Sequence, residues 1–156
     1  MDANPAGILN SINISNGGVP KLPTDRAVVL MTGVKGDRQR NLQLHSGPTR
    51  AVCLYSLDLI QALQAEGHPI APGSIGENLT ISGLDWNTMT PGVVVDVGQV
   101  SLEVTSYADP CRNIAASFLG AQIQRISTRR HPGWSRVYAR VLAEGTVAVG
   151  DRVTIR

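Results

Sequence analysis

Cys111 is the residue in this chain best placed to do chemistry. It lies in Tyr107-Ala108-Asp109-Pro110-Cys111-Arg112-Asn113-Ile114, directly after an alternating, valine-rich run. A proline at 110 ends strand pairing and exposes the residue that follows. The neighbouring Arg112 guanidinium favours the thiolate, the form that attacks electrophiles and binds metals. A small packed hydrophobe would place the same residue type there, so the rest of the chain must decide. The chain has 2 cysteines, too few for a disulfide framework. The other, Cys53 in Ala51-Val52-Cys53-Leu54-Tyr55, reads as a packed residue of an apolar strand.

Further loops combine glycine with polar residues. In Gly33-Val34-Lys35-Gly36-Asp37-Arg38 the glycines allow close backbone approach to a ligand, and Lys35 and Arg38 could face an anion. A solvated charged turn would look the same. The Gly-x-x-x-x-Gly-Lys-Ser/Thr phosphate-loop spacing is absent. His45-Ser46-Gly47-Pro48 carries a histidine with Arg50 just after it. His68 and His131 are remote from it, so no zinc site is expected. In Pro72-Gly73-Ser74-Ile75-Gly76-Glu77-Asn78-Leu79, the pair Glu77 and Asn78 either meets a ligand or ties down its own loop. No Gly-x-Ser-x-Gly elbow supports a serine hydrolase. Cys111 with His45 would suit a thiol hydrolase, but no papain or caspase signature accompanies them. Finally, strand parity puts Arg136, Tyr138 and Arg140 on one face, with Val137, Ala139 and Val141 facing the core. Two such arginines, completed by Arg112, can fork an anion; a solvated basic face is the alternative.

Short strands must position these residues. The 16 glycines and 9 prolines demand many tight turns. Strand patterns fall at residues 6–15, 26–32, 51–55, 79–81, 93–97, 100–106, 134–142 and 153–155. The 100–106 run alternates most cleanly. Ser56 to Gly67 reads as a helix: Ser56 caps it, Asp58 sits in its first turn, Leu59, Ile60 and Leu63 share a face, and Gly67 stops it. Residues 113–127 read as one or two helices, and 145–151 as turns. The expectation is a mainly β fold with a few helices, a barrel or sandwich with helices at its ends, formed by 1–156 as one domain.

A net charge of +2 is too mild for a nucleic-acid binder, and 4% aromatic residues offer few stacking platforms. No apolar run reaches the roughly 18 residues of a membrane span, and no basic-then-apolar leader opens the sequence. A cytoplasmic protein with no nucleic-acid or membrane partner is expected.

Together these segments resemble the MOSC domain, named for the C-terminal domain of molybdenum cofactor sulfurase. The similarity rests on the 33–38 loop, His45-Ser46-Gly47-Pro48-Thr49-Arg50-Ala51-Val52, Gly76-Glu77-Asn78-Leu79, Pro110-Cys111, Gly133-Trp134 through Arg140-Val141-Leu142, and Gly150-Asp151. It runs from about residue 6 to 155. Ser46 stands where the family often has glycine. The resemblance implies a small standalone bacterial-type member with a MOSC-type β-barrel, binding a molybdenum–pterin (molybdopterin-type) cofactor. Without a sulfurase domain, intrinsic pyridoxal phosphate binding is not expected. Cys111 would be the catalytic residue and molybdenum ligand of a reductase acting on N-hydroxylated compounds, fed by an electron-donor protein. Alternatively, Cys111 would hold a persulfide in a non-catalytic sulfur carrier or cofactor-delivery module. The implied cofactor contacts are Lys35, Asp37, Arg38, His45, Glu77, Asn78, Arg112, Arg136 and Arg140, with Arg136 or Arg140, completed by Arg112, at the cofactor phosphate.

Overall fold

The computed structural model describes residues 6–38 and 47–156; His45 and Ser46 fall outside them. The strands are β1 (Ala6–Ile14), β2 (Leu22–Thr24), β3 (Arg26–Leu30), β4 (Gly33–Val34), β5 (Val52–Ser56), β6 (Leu79–Ser82), β7 (Val94–Val97), β8 (Val100–Ala108), β9 (Arg136–Ala143), β10 (Gly145–Ala148) and β11 (Arg152–Ile155). Among the described residues, β11-β7-β8-β9-β5-β6-β1 forms a ring, closed where β11 pairs with β1 and extended by β2 at the side of β1. The expected β-barrel is therefore the fold. The β5–β6 pair is parallel and the other ring pairs are antiparallel. Outside the ring, β10-β3-β4 makes a small second sheet.

Closure abolishes most exposed sheet edges and gives a continuous core. Leu9, Ile12, Leu54, Leu79, Ile81, Val97, Leu102 and Val137 are fully buried in it. The parallel β5–β6 pair needs a crossover, which the α-helix α1 (Leu57–Ala65) provides. Ser56 Oγ accepts the Leu59 N–H at 3.1 Å and caps α1 as its sequence predicts. Ile60 and Leu63 are buried beneath it, each contributing about 1.5–3 kcal/mol of hydrophobic burial.

Two expectations need correction. Residues 145–148 are a strand, not a turn: Gly145 to Ala148 pair in antiparallel register with Val29 to Arg26. Residues 112–126 are short 3-10 segments rather than one or two α-helices. Phe118 is extended, and Gly120 and Ala121 have positive φ, so the apolar spacing never accumulates into continuous helix.

Candidate functional site

The parity of β5 and β9 builds the site. Cys53 pairs with Tyr138 across these strands. Their neighbours Val52, Leu54, Val137 and Ala139 belong to the main core. Cys53, Tyr138 and Ala108 form a separate small cluster, as expected where alternate side chains leave opposite faces of a sheet. Loops cover this second face and leave an open cavity of about 60 Å³. Cys111, Cys53, Arg136, Tyr138, Lys21 and Gly76 contribute to its lining.

Cys111 stands just before the 3-10 segment Arg112–Ser117, in extended conformation and partly exposed. Cys53 is buried in the wall. Burial pushes its thiol up to about 11, against the opposing pull of the Arg136 cation, so it is a neutral thiol near pH 7. The cavity thus joins an accessible sulfur to a hidden, protonated one.

Arg136 is the main charge in the wall and is 4% exposed. Its Nη1 donates to the Ile75 carbonyl at 2.9 Å, and Nη2 to the Asp109 and Ala108 carbonyls at 3.0 and 3.4 Å. Nε has no partner among the described residues, and no carboxylate there pairs with this guanidinium. Carbonyls position the cation but do not neutralise it. Tyr138, whose phenol burial pushes up, lies under the Arg50 guanidinium, 5.5 Å from ring centroid to Cζ.

Behind the cavity lies a polar network. Lys21 Nζ is 2.7 Å from Asp37 Oδ1. Asp37 also accepts the Ser15 N–H at 2.9 Å and the Asn78 Nδ2–H at 2.9 Å. Asn78 Oδ1 accepts the Cys53 N–H at 3.0 Å, and Nδ2 also donates to the Asn13 carbonyl at 3.3 Å. Glu77 Oε2 accepts from Gly73 N at 3.0 Å and Thr80 Oγ at 2.8 Å, while Oε1 lacks a partner. Burial raises the Glu77 carboxyl, more than these hydrogen bonds and Arg136 lower it. Gly73 has φ +83°, and an added Cβ would collide with the Lys21 carbonyl; only glycine fits there.

Of the expected site residues, Cys111 and Arg136 line one cavity. Asp37, Glu77 and Asn78 sit behind it as supports. Asn78 is fully buried and its amide is used by protein partners, so its geometry is that of a tie rather than a ligand contact. Lys35 and Arg38 are exposed and do not line the cavity. Arg112 is likewise exposed and outside the lining. Arg140 is a correction: it pairs outside the cavity with Glu103, its cross-strand neighbour, at 2.6 Å. It shares a face with Arg136 but lies beyond the loops that make the cavity. His45 lies outside the described residues. Sequence reasoning missed Lys21 and the role of Cys53 as cavity wall. Pairing Cys53 with Tyr138 across the sheet was the missing information.

Among the described residues, no group of three or more His, Cys, Asp or Glu side chains could hold a metal by itself, and no helix is long and apolar enough to cross a membrane. The MOSC domain profile matches residues 41–154. The chain belongs to the MOSC domain family. This MOSC domain is 31% identical over 140 residues to the uncharacterized protein YflK of Bacillus subtilis, covering 88% of this chain and 62% of YflK. It is 26% identical over 136 residues to YiiM of Escherichia coli, covering 83% of this chain and 59% of YiiM. The chain thus spans about three fifths of the length of these curated relatives. Among solved structures, the MOSC domain superposes on YuaD of Bacillus subtilis with a TM-score of 0.77 at 18% identity, covering 99% and 98% of the two chains. With YiiM of Geobacillus stearothermophilus the TM-score is 0.73 at 22% identity, covering 97% and 75%. These likenesses establish the fold. The family links the chain to molybdenum-cofactor biology.

Proposed function

We propose that this MOSC domain binds a molybdenum cofactor with Cys111 as the metal ligand, as the reductase component of a system acting on N-hydroxylated compounds. The observation behind this reading is the pairing, in one open cavity, of an accessible thiol with a buried arginine that has no carboxylate partner among the described residues. Thiolate sulfur is a soft ligand suited to such a metal. The Arg136 guanidinium, which lines the cavity and pairs with no carboxylate among the described residues, suits an anionic ligand. The donor set therefore fits the group. When bound, the cofactor would supply the redox chemistry. This chain supplies the sulfur of Cys111, the cation of Arg136, and the Asp37–Asn78 ties that hold the β5 wall. Electrons would come from a partner protein. The test is molybdenum and pterin analysis of protein made in a cofactor-competent host, followed by a reduction assay with an N-hydroxylated compound and an electron donor. Near-equimolar metal, lost in Cys111→Ser, is the expected result; protein free of molybdenum and pterin would sink the reading.

A second reading, a sulfur carrier with a persulfide on Cys111, is favoured by the size of the cavity. About 60 Å³ admits roughly four to six water-sized groups, which suits a sulfur-bearing small molecule. Mass spectrometry of gently purified protein separates the readings: an added sulfur without metal speaks for carriage.

A further inference from the structure

We propose that the Cys111 cavity takes a small sulfur oxyanion, with thiosulfate the type substrate: Arg136 holds the sulfonate end and the Cys111 thiolate accepts the outer sulfur. This rests on the sulfur-carrier reading above and names its donor.

The argument starts from charge. A buried guanidinium without a counter-ion is costly unless an anion compensates it. Lys21, the other cation of the wall, is already paired with Asp37. Among the described residues Arg136 has only carbonyl partners. Glu77 is close enough to sense its charge, but burial drives that carboxyl towards its neutral form. Among the described residues no carboxylate pairs with Arg136, so a positive charge stands at the wall of a cavity that Cys111 also lines. Guanidinium is the side chain best matched to planar or forked recognition of oxyanion oxygens. The space, open to solvent and holding roughly four to six water-sized groups, accommodates a tetrahedral sulfur oxyanion.

The chemistry closes without a further reagent. The Cys111 thiolate attacks the outer sulfur of thiosulfate. The S–S bond of thiosulfate breaks, its electron pair leaves with sulfite, and a new S–S bond forms on Cys111. One thiolate and one thiosulfate dianion give one persulfide anion and one sulfite dianion, so atoms and charge balance. A nucleophilic acceptor such as cyanide then takes the terminal sulfur, giving thiocyanate and restoring the thiolate. Cys53, buried and protonated, is not the acceptor sulfur.

The experiment incubates the full chain with thiosulfate, maps added sulfur by peptide mass, and follows thiocyanate release on adding cyanide. One extra sulfur on Cys111, none on Cys53, and competition by unreactive sulfate are expected. Arg136→Gln should raise the thiosulfate KM by about tenfold or more, the scale of a lost charge-assisted hydrogen bond, while loading from inorganic polysulfide persists. Arg136→Lys, which keeps the charge but loses the fork, should fall between the parent and Arg136→Gln. Sulfate competition uses the unaltered chain, so it decides the matter even if Arg136→Gln fails to fold. Loading by polysulfide but not thiosulfate would overturn this inference and leave the carrier reading standing. Loading by neither would overturn both. Thiosulfate loading that sulfate does not inhibit would overturn the anion site.

Discussion

The Lys21 ammonium and the Asp37 carboxylate lie 2.7 Å apart, with both side chains only 6% exposed. Removing one member leaves the other buried and uncompensated, which costs about 3–5 kcal/mol. Asp37→Ala should therefore destabilise the chain by that amount in urea titrations. It also strips Asn78 Nδ2 and Ser15 N of an acceptor. Lys35→Ala, on an exposed side chain of the same loop, should stay within about 0.5 kcal/mol of the parent. Equal effects at both positions would contradict the network.

The two thiols should react differently. At neutral pH iodoacetamide should modify Cys111 and spare Cys53, which is buried and held protonated with its thiol raised to about 11. Peptide mapping after brief labelling checks this; Cys53 should become reactive only once the chain is unfolded. Cys111→Ser should leave the unfolding midpoint nearly unchanged, whereas Cys53→Ser should lower it by placing a hydroxyl in an apolar wall.

Glu77 carries a pH signature. Its carboxyl is raised by burial, so the folded state holds that proton to higher pH than the unfolded chain does. Its contribution is then fully present below the ordinary glutamate range and declines as pH rises through the interval up to the native value. Glu77→Gln cannot ionise and keeps an oxygen for the Gly73 and Thr80 donors. The stability of parent relative to Glu77→Gln should fall as pH rises above the glutamate range, measured by denaturant titration at a series of pH values. A flat difference would show that this carboxyl has an ordinary pKa.

The basic face of β9 should divide into two roles. Arg140→Ala removes an exposed pair with Glu103 and should cost no more than about 1 kcal/mol, with pterin content and sulfur loading unchanged. Arg136→Gln should reduce both. An Arg140 effect as large as that of Arg136 would place the anion site elsewhere.

Residues that act locally were the legible ones. Ser56, Asp58, Leu59, Ile60 and Leu63 encode α1 within a few positions, and its cap is where they place it. The alternation of Val100, Leu102 and Val104 likewise gave β8. What escaped depends on distant partners. Gly145–Ala148 becomes a strand because Arg26–Val29 lies beside it, which no local pattern announces. All of Val52–Ser56 is buried, so the strand shows no alternation from which to tell that Cys53 faces a cavity and Leu54 the core. Arg136 and Arg140 have the right parity, but parity does not reveal that the loops around Ile75 and Asp109 cover one and leave the other in solvent.

The closure of the barrel also has a bearing on synthesis. Ala6 to Ile8 pair with Thr154 to Arg152, so during translation β1 waits for the distant β11 to leave the ribosome. Until then β1 can be held on one side by β6 and, over Ile12–Ile14, on the other by β2, but Ala6–Ile8 present that second border unpaired, an open template for a neighbouring nascent chain. Pairing at such separation also slows folding, because loop closure comes before its reward. The stretch of time before β11 emerges is when this chain is most exposed to mispairing on a crowded polysome, and when a ribosome-associated chaperone would have most to protect.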